Sequence, residues 1–492
     1  MVWRLDRLLS GWQCRTMSVL WVLLFASYVL FFTYVRDSQH SCQPHLPAAA
    51  VKWGSLWPTS SSTAAAATPT NLSHIVFGII SSLKTVKTRK PLIESWWRPN
   101  MTRGYLFLDK APPETDESLR CPSTCPPIRI SEDISHWDLY PKFKHAVQIR
   151  IFRTILDTFR EGDRDVRWFV MADDDTVFFV DNIVELLSKL DHTKHHYLWG
   201  RSESVGSNAV ISFDMGYGGA GLVFSYPTAE VLVQKMDGCI RRYPEAWTND
   251  GLTYRCLNDQ GIAVSTSFQK GFHQIDLHDS LAGFLSSHPQ APLLSLHHIE
   301  LVDPIFPSKN RVESIHHLMK PAKLDQSRLL QQTICYRKEM NWTVSVSWGY
   351  SVHIHESPLP RNILQHPIET FNPWRRKDRF PKFMFNTRNV SRDPCQAPHW
   401  FFFESIEENS LEDEDTIVTT YTRARNRGLS PCVLAGNHSA DHVNRIRVLS
   451  PPKARLEAGG VECCDVLPVV AEKETATTVR IRPCMEAEEI VL

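Results

Sequence analysis

The chain has 492 residues, 42% of them apolar and 22% charged, enough to bury a core and to build two or three domains. Its 54 basic and 54 acidic side chains cancel. A protein whose main partner is nucleic acid leaves a basic footprint, so that class is set aside.

The first element is Thr16–Val35, "TMSVLWVLLFASYVLFFTYV", which holds no charge. A helix of this length spans ~30 Å, the thickness of the hydrocarbon layer. Arg4, Arg7 and Arg15 precede it against Asp6 alone, so the positive-inside rule places residues 1–15 in the cytosol. The expectation is an uncleaved signal anchor over 16–35. A cleaved signal peptide is the competing reading, for which the apolar run is long. Sequons at Asn71, Asn100, Asn341, Asn389 and Asn437 and eleven of the 12 cysteines follow the run. Both suit an oxidising, lumenal address. Spacing alone does not set the disulfide pairing.

Residues 36–73 read as a stem. "PTSSSTAAAATPT" (Pro58 to Thr70) is small and polar with no apolar period, so it buries no core. From His74 the pattern changes. "HIVFGII" predicts a strand, "TRKPLIESWWR" a short helix, and "RGYLFLD" a second strand. Lys142 to Arg160 has apolar residues at helical spacing. "VRWFVMA" is continuously apolar, as a strand buried on both faces is. "VDNIVELLSKL" predicts a helix with Asp181 at its start; "HYLWG" and "AGLVFS" predict strands, and "TAEVLVQKMDGCI" a helix. Strands alternating with helices predict an α/β domain over 74–306, with a mainly parallel sheet and helices on both faces. Residues 307–492 read as a smaller β-rich extension. In it "NWTVSVSWGYSVHIHE" predicts a strand or hairpin, and "EENSLEDEDT" (Glu407 to Thr416) a solvated acidic loop.

The chemistry centres on "RWFVMADDDTVFF". In an open α/β sheet, ligands bind beyond the carboxyl ends of the strands. The strand before Asp173, Asp174 and Asp175 therefore delivers three acids to that rim. Oxygen ligands suit a hard cation such as Mn²⁺ or Mg²⁺. Alternate residues can share one ion, so Asp173 and Asp175 are the natural pair. An acidic turn that caps the next helix is the competing reading.

Four stretches in order, "RWFVMADDDTVFF", "YLWGRSES", "GGAGLVFS" and "NDGLTYRCL", are similar to those of the fringe-like β-1,3-glycosyltransferases, and most of all to the plant fringe-related group. The likeness covers about His74 to Phe306. It implies a GT-A fold, a UDP-sugar donor, a glycan or glycoprotein acceptor, and a Golgi membrane protein of type II topology. Asp173, Asp174 and Asp175 match the family's metal and nucleotide triplet. Arg89 falls where a donor-contacting Arg is often found. Gly218 and Gly219, in "GYGGAG", match the Gly-rich segment beside the sugar. Asp250 takes the position of the catalytic base, in a stretch where the family has two acids and this chain has Asn249-Asp250. The metal His of the family has three candidates here, His297 first, then His298 and His273. The expected activity is inverting, metal-dependent sugar transfer. The alternative, favoured by Asn249, is a non-catalytic, membrane-tethered carbohydrate-binding or scaffold protein that keeps the fold.

Overall fold

In the computed structural model of the protein, the residues described are 68–113, 124–210, 212–262, 266–375, 381–411, 414–424, 427–433, 439–452, 462–467 and 475–485. The expected anchor Thr16–Val35, the expected cytosolic tail, most of the expected stem and the sequon at Asn437 lie outside them. Among the described residues no helix is long and apolar enough to cross a membrane.

The chain opens with β1 (Ile75–Ile80), α1 (Val86–Trp96), β2 (Arg103–Leu108), β3 (Ile128–Ile130) and α2 (Ala146–Arg160). Next come β4 (Trp168–Asp173), β5 (Val177–Phe178), α3 (Val180–Ser188), β6 (Tyr197–Trp199), β7 (Leu222–Ser225), α4 (Tyr226–Arg242) and α5 (Asn249–Asp259). The strands β8 (Thr266–Phe268), β9 (Phe272–His273), β10 (Leu277–Asp279) and β11 (Ser295–Leu296) follow, then α6 (Arg311–Leu324).

Seven of these strands form one sheet in the order β3-β2-β1-β4-β7-β6-β8. Its pairs are parallel except where β7 runs against β4 and β6. Because side chains alternate across a strand, β1 and β4 bury both faces. Val76, Phe169 and Met171 pack with α2, α4 and α5. Ile75, Phe77, Trp168 and Val170 pack with Leu92, Ile93 and Trp96 of α1 and with Ile183 and Leu187 of α3. This is a mixed, mainly parallel α/β sheet.

The C-terminal strands are β12 (Gln332–Arg337), β13 (Trp342–Ser347), β14 (Ser351–His355), β15 (Phe371–Pro373), β16 (His399–Leu411), β17 (Glu414–Arg423), β18 (Arg445–Ser450), β19 (Glu462–Leu467) and β20 (Ala476–Pro483). Eight of them form a second sheet in the order β12-β13-β14-β16-β17-β18-β20-β19, antiparallel except for β18 with β20. This sheet has eight strands, against seven in the first. The acidic loop expected at Glu407 to Thr416 is instead the end of a long hairpin, with Glu407 opposite Val418 and Glu408 opposite Ile417. Pairing with β-branched neighbours overrides the local preference of acidic residues for loops.

The apolar core runs without a break from the α/β sheet into the second sheet, where Trp342, Trp348 and Tyr350 are fully buried. Cross-links are Cys239–Cys256, which joins α4 to α5, then Cys335–Cys464, Cys395–Cys432 and Cys463–Cys484; Cys125 is disulfide-bonded as well.

Candidate active site

The small sheet β5-β11-β9 assembles the site. In it Leu296 pairs antiparallel with Val177 and parallel with His273. One step along each strand, His297 comes level with Thr176 and so beside the triplet. Its N–H donates to the His273 carbonyl at 2.9 Å.

The three aspartates have different surroundings. Asp174 is buried, and both its oxygens are taken: Oδ2 accepts from Ser81 Oγ (2.5 Å) and Thr85 Oγ1 (2.9 Å), and Oδ1 from Arg89 (2.6 Å). Its part is to hold Arg89 in place. The same guanidinium lies 3.2 Å from Asp175 Oδ2 and 3.0 Å from Glu300 Oε1. Sequence reasoning missed Glu300. It lies in no motif, and only its pairing with Arg89, 211 residues away in the chain, marks it.

Asp175 Oδ1 is 3.0 Å from His297 Nε2, and Asp173 Oδ2 is 3.7 Å from the same nitrogen. Both Asp175 Oδ1 and His297 Nε2 are buried with no hydrogen bond. The orientation of the ring follows from Gln274. Ala220 N–H donates to Gln274 Oε1 at 3.1 Å, which identifies that atom as the oxygen. His297 Nδ1 meets the same oxygen at 3.1 Å, so in the neutral ring Nδ1 carries the proton and Nε2 keeps its lone pair. A buried carboxylate oxygen and a buried imidazole lone pair facing each other are donors of the kind a divalent cation takes, with the ring oriented from behind by Gln274. These residues fit such an ion. One ligand atom each from Asp175, His297 and His298 lies within 4.8 Å of the others.

His298 sits in the left-handed region (φ 58°), 3.4 Å from Asp276, with its ring stacked on Trp374 at 5.1 Å. Trp374 arrives because β15 pairs with β10, and its N–H donates to the Asp276 carbonyl at 2.7 Å. The C-terminal region thus supplies a wall of the site, and no local pattern in the sequence marked it. His273 is not brought to the triplet; its ring pairs with Glu203 at 3.2 Å.

Asp250 lies in the first turn of α5. The cap of that helix is Thr248, which accepts from Gly251 N–H, so capping is not the role of Asp250. Its Oδ1 accepts from Gly218 N–H at 2.8 Å. Asn249 is held by Gln148, which accepts from its backbone N–H (2.8 Å) and its amide (3.2 Å). A Cβ on Gly218 would stand 2.5 Å from Asp250 Oδ1, and one on Gly219 would stand 2.1 Å from His297 Cε1. Two adjacent glycines therefore touch the base candidate and the ligand candidate in turn. Thr176 Oγ1 and Ser295 Oγ fasten this segment by its carbonyls at Gly219 and Ala220.

The electrostatics divide the acids. Burial pushes the Asp250 carboxyl up to about 7, with Asp173 adding to it, although one side stays open to solvent. Burial, then Asp175 and Asp174, raise Asp173 to about 7. Burial also pushes Asp175 upward, but His297, Glu300 and Arg89 outweigh it and hold that group well below the usual carboxylate range. Burial and the adjacent Asp175 raise Glu300 to about 8.

An α/β sheet with acids at a strand end, a histidine across from them and a glycine-cradled carboxylate suits a glycosyltransferase domain. Comparison with known proteins agrees. Residues 70–273 match the family described as "Fringe-like", and residues 207–464 match "Protein of unknown function, DUF604". The chain belongs to the fringe-related glycosyltransferase family, and its α/β domain is a glycosyltransferase domain. No curated protein matches it. Among solved structures it is similar to the glycosyltransferase GlyE of Streptococcus pneumoniae TIGR4, with 11% identity and a TM-score of 0.27 over 41% of this chain and 46% of that one. It is also similar to a glycosyltransferase involved in glycosylation of the major capsid of PBCV-1, with 14% identity and a TM-score of 0.26 over 50% of this chain and 98% of that one. The chain spans less than half of the first of these, and likeness at this level carries no further argument.

Proposed function

We propose that the chain is an inverting, metal-dependent glycosyltransferase that moves a sugar from a UDP-sugar to a hydroxyl of a glycan or glycoprotein, in a β-1,3-type linkage. The observation that carries this reading is the Gly218-Gly219 pair, which sets Asp250 and His297 on adjoining backbone units. Asp250 takes the proton of the acceptor hydroxyl. The freed oxygen pair attacks the anomeric carbon on the face opposite the diphosphate, and the bonding pair to the diphosphate oxygen leaves with UDP. A base with its pKa near 7 suits this work. Asp173, Asp175 and His297 would hold Mn²⁺ or Mg²⁺, with His298 beside them. When bound, the ion supplies positive charge for a departing diphosphate. Arg89 keeps the repulsion within the triplet in check and orients Asp175.

The same proposal places the protein in the Golgi membrane with type II topology, anchored by 16–35, with its catalytic domain in the lumen. In support, Asn71, Asn100, Asn341 and Asn389 are all exposed, as glycan attachment requires.

A donor screen on the purified protein, reading UDP release with and without Mn²⁺, tests the reading. One UDP-sugar turned over only with the metal is the expected result. Sugar binding indifferent to both UDP and metal would mark a non-catalytic binder instead.

A further inference from the structure

A cavity of about 490 Å³ lies where the α/β domain meets the C-terminal region. One wall is the chain after β6 together with β8 and β9; the other is made by residues 362–367 and 384–386. The walls are tied by backbone bonds, from Met384 N–H to the Glu203 carbonyl (2.9 Å) and from Val205 N–H to the Lys382 carbonyl (3.1 Å). The space is therefore preformed, and its volume is that of a small-molecule site.

Its free charge is positive. Arg201 and Lys270 line it, and among the described residues neither has an acidic partner. The Arg201 guanidinium lies 5.0 Å over Phe268 and 5.7 Å over Trp199, and its Nε donates to the Phe213 carbonyl at 2.9 Å. That fixes the plane of the group while its two terminal nitrogens stay available, the arrangement that takes a carboxylate by both oxygens. Glu203 is the one carboxylate in the lining, and it is engaged by His273 (3.2 Å) and Asp276 N–H (3.3 Å). Asn362 and Asn386 offer amides to hydroxyl groups, and Phe268, 42% exposed, offers an apolar face to C–H groups.

We infer that this cavity binds a saccharide unit carrying a carboxylate. The chemistry asks for an anion, several hydroxyls and one apolar face, in a space too large for a lone inorganic anion. The cavity also backs onto the candidate active site. Its wall residue His273 accepts the backbone N–H of His297, and its wall residue Glu203 holds the loop at Asp276. A glycan seated there lies one residue behind the metal-ligand candidate. The inference does not depend on sugar transfer, because binding is read without donor or metal.

The test titrates the full chain with digalacturonic acid, with neutral galactobiose and with inorganic phosphate, by calorimetry and saturation-transfer NMR. The acid disaccharide is expected to bind at least about tenfold more tightly than the neutral one, as loss of a charged hydrogen bond implies. Lys270→Glu, at an exposed position, is expected to weaken it by a similar factor, and Arg201→Gln to do the same. Equal binding of the two disaccharides overturns the inference. So does phosphate binding as tightly as the acid disaccharide, or acid binding that both variants leave unchanged. Absence of saturation at millimolar concentration overturns it as well.

Discussion

Asp250 carries the sharpest expectations among single residues. Its carboxyl is raised to about 7 by burial and then by Asp173, and a base acts only when deprotonated. Transfer is therefore expected to climb as pH rises through about 7 and to level off above it, measured as initial rate at saturating donor. Asp250→Ala is expected to lower the rate by about 10²–10⁴ while metal-dependent UDP binding persists; Asp175→Ala is expected to lose both. Full transfer by Asp250→Ala would falsify the assignment of the base. Stability gives a second readout. The folded-state pKa lies above the ordinary 3.8, so this group favours folding at low pH and loses that contribution as pH rises through the folded value. Asn keeps the bond from Gly218 but never ionises. Asp250→Asn is thus expected to melt higher than the parent at about pH 8 and level with it at about pH 4, by calorimetry. Gln274→Met removes the acceptor that orients His297. It is expected to weaken Mn²⁺ dependence of UDP binding by about 10–100-fold with the fold intact.

At the level of elements, the three-stranded sheet β5-β11-β9 and the Gly218-Gly219 segment make one device. The pairing brings His297 to the triplet, and the missing Cβ of Gly219 leaves room for its ring. Gly219→Ala drives a methyl into that ring, so metal-dependent UDP binding is expected to fall more than tenfold while the far-ultraviolet circular dichroism is unchanged. Binding equal to the parent's would show that the ring does not need this space. Much of the architecture was legible in the sequence, since β1, β2 and β4 follow from short apolar runs and α2 from apolar residues at helical spacing. The triplet was also legible, because it directly follows a recognisable strand, whereas the base candidate came from the family likeness alone. The order of the three histidines, with His297 first, came from the family likeness alone, and Glu300 and Trp374 were not legible. Each depends on pairing between segments far apart in the chain, as with Arg89 and Glu300 or β10 and β15. The acidic hairpin at Glu407 was missed for the same reason.

For the molecule as a whole, the α/β domain and the C-terminal sheet share one core. Tyr350 OH donates to the Ile305 carbonyl (2.9 Å) and its ring meets Phe306 (5.2 Å). Phe284 packs on Phe371 and Phe385, and Ser347 Oγ donates to the Leu285 carbonyl. A chain ended after Phe306 would uncover these side chains. It is expected to aggregate or melt without a cooperative transition, which light scattering and calorimetry on the 74–306 fragment would detect; a cooperative fragment would show the C-terminal sheet to be dispensable for folding. The full chain made in a secretory cell is expected to shift to lower mass on deglycosylation, since four described sequons are exposed. An unshifted band would count against the lumenal topology.

The sequence by itself determined the α/β class, the family likeness, the acids at the strand end and the glycines beside them. Those are properties of short stretches, in which side-chain period and residue type act over a few neighbours. The tertiary structure alone decided which histidine faces Asp175, that Asp174 serves Arg89, that Glu300 joins the cluster, and that Trp374 closes one wall. These come from strand register and from the demand that buried charges find partners, and both are set only when distant segments pack together.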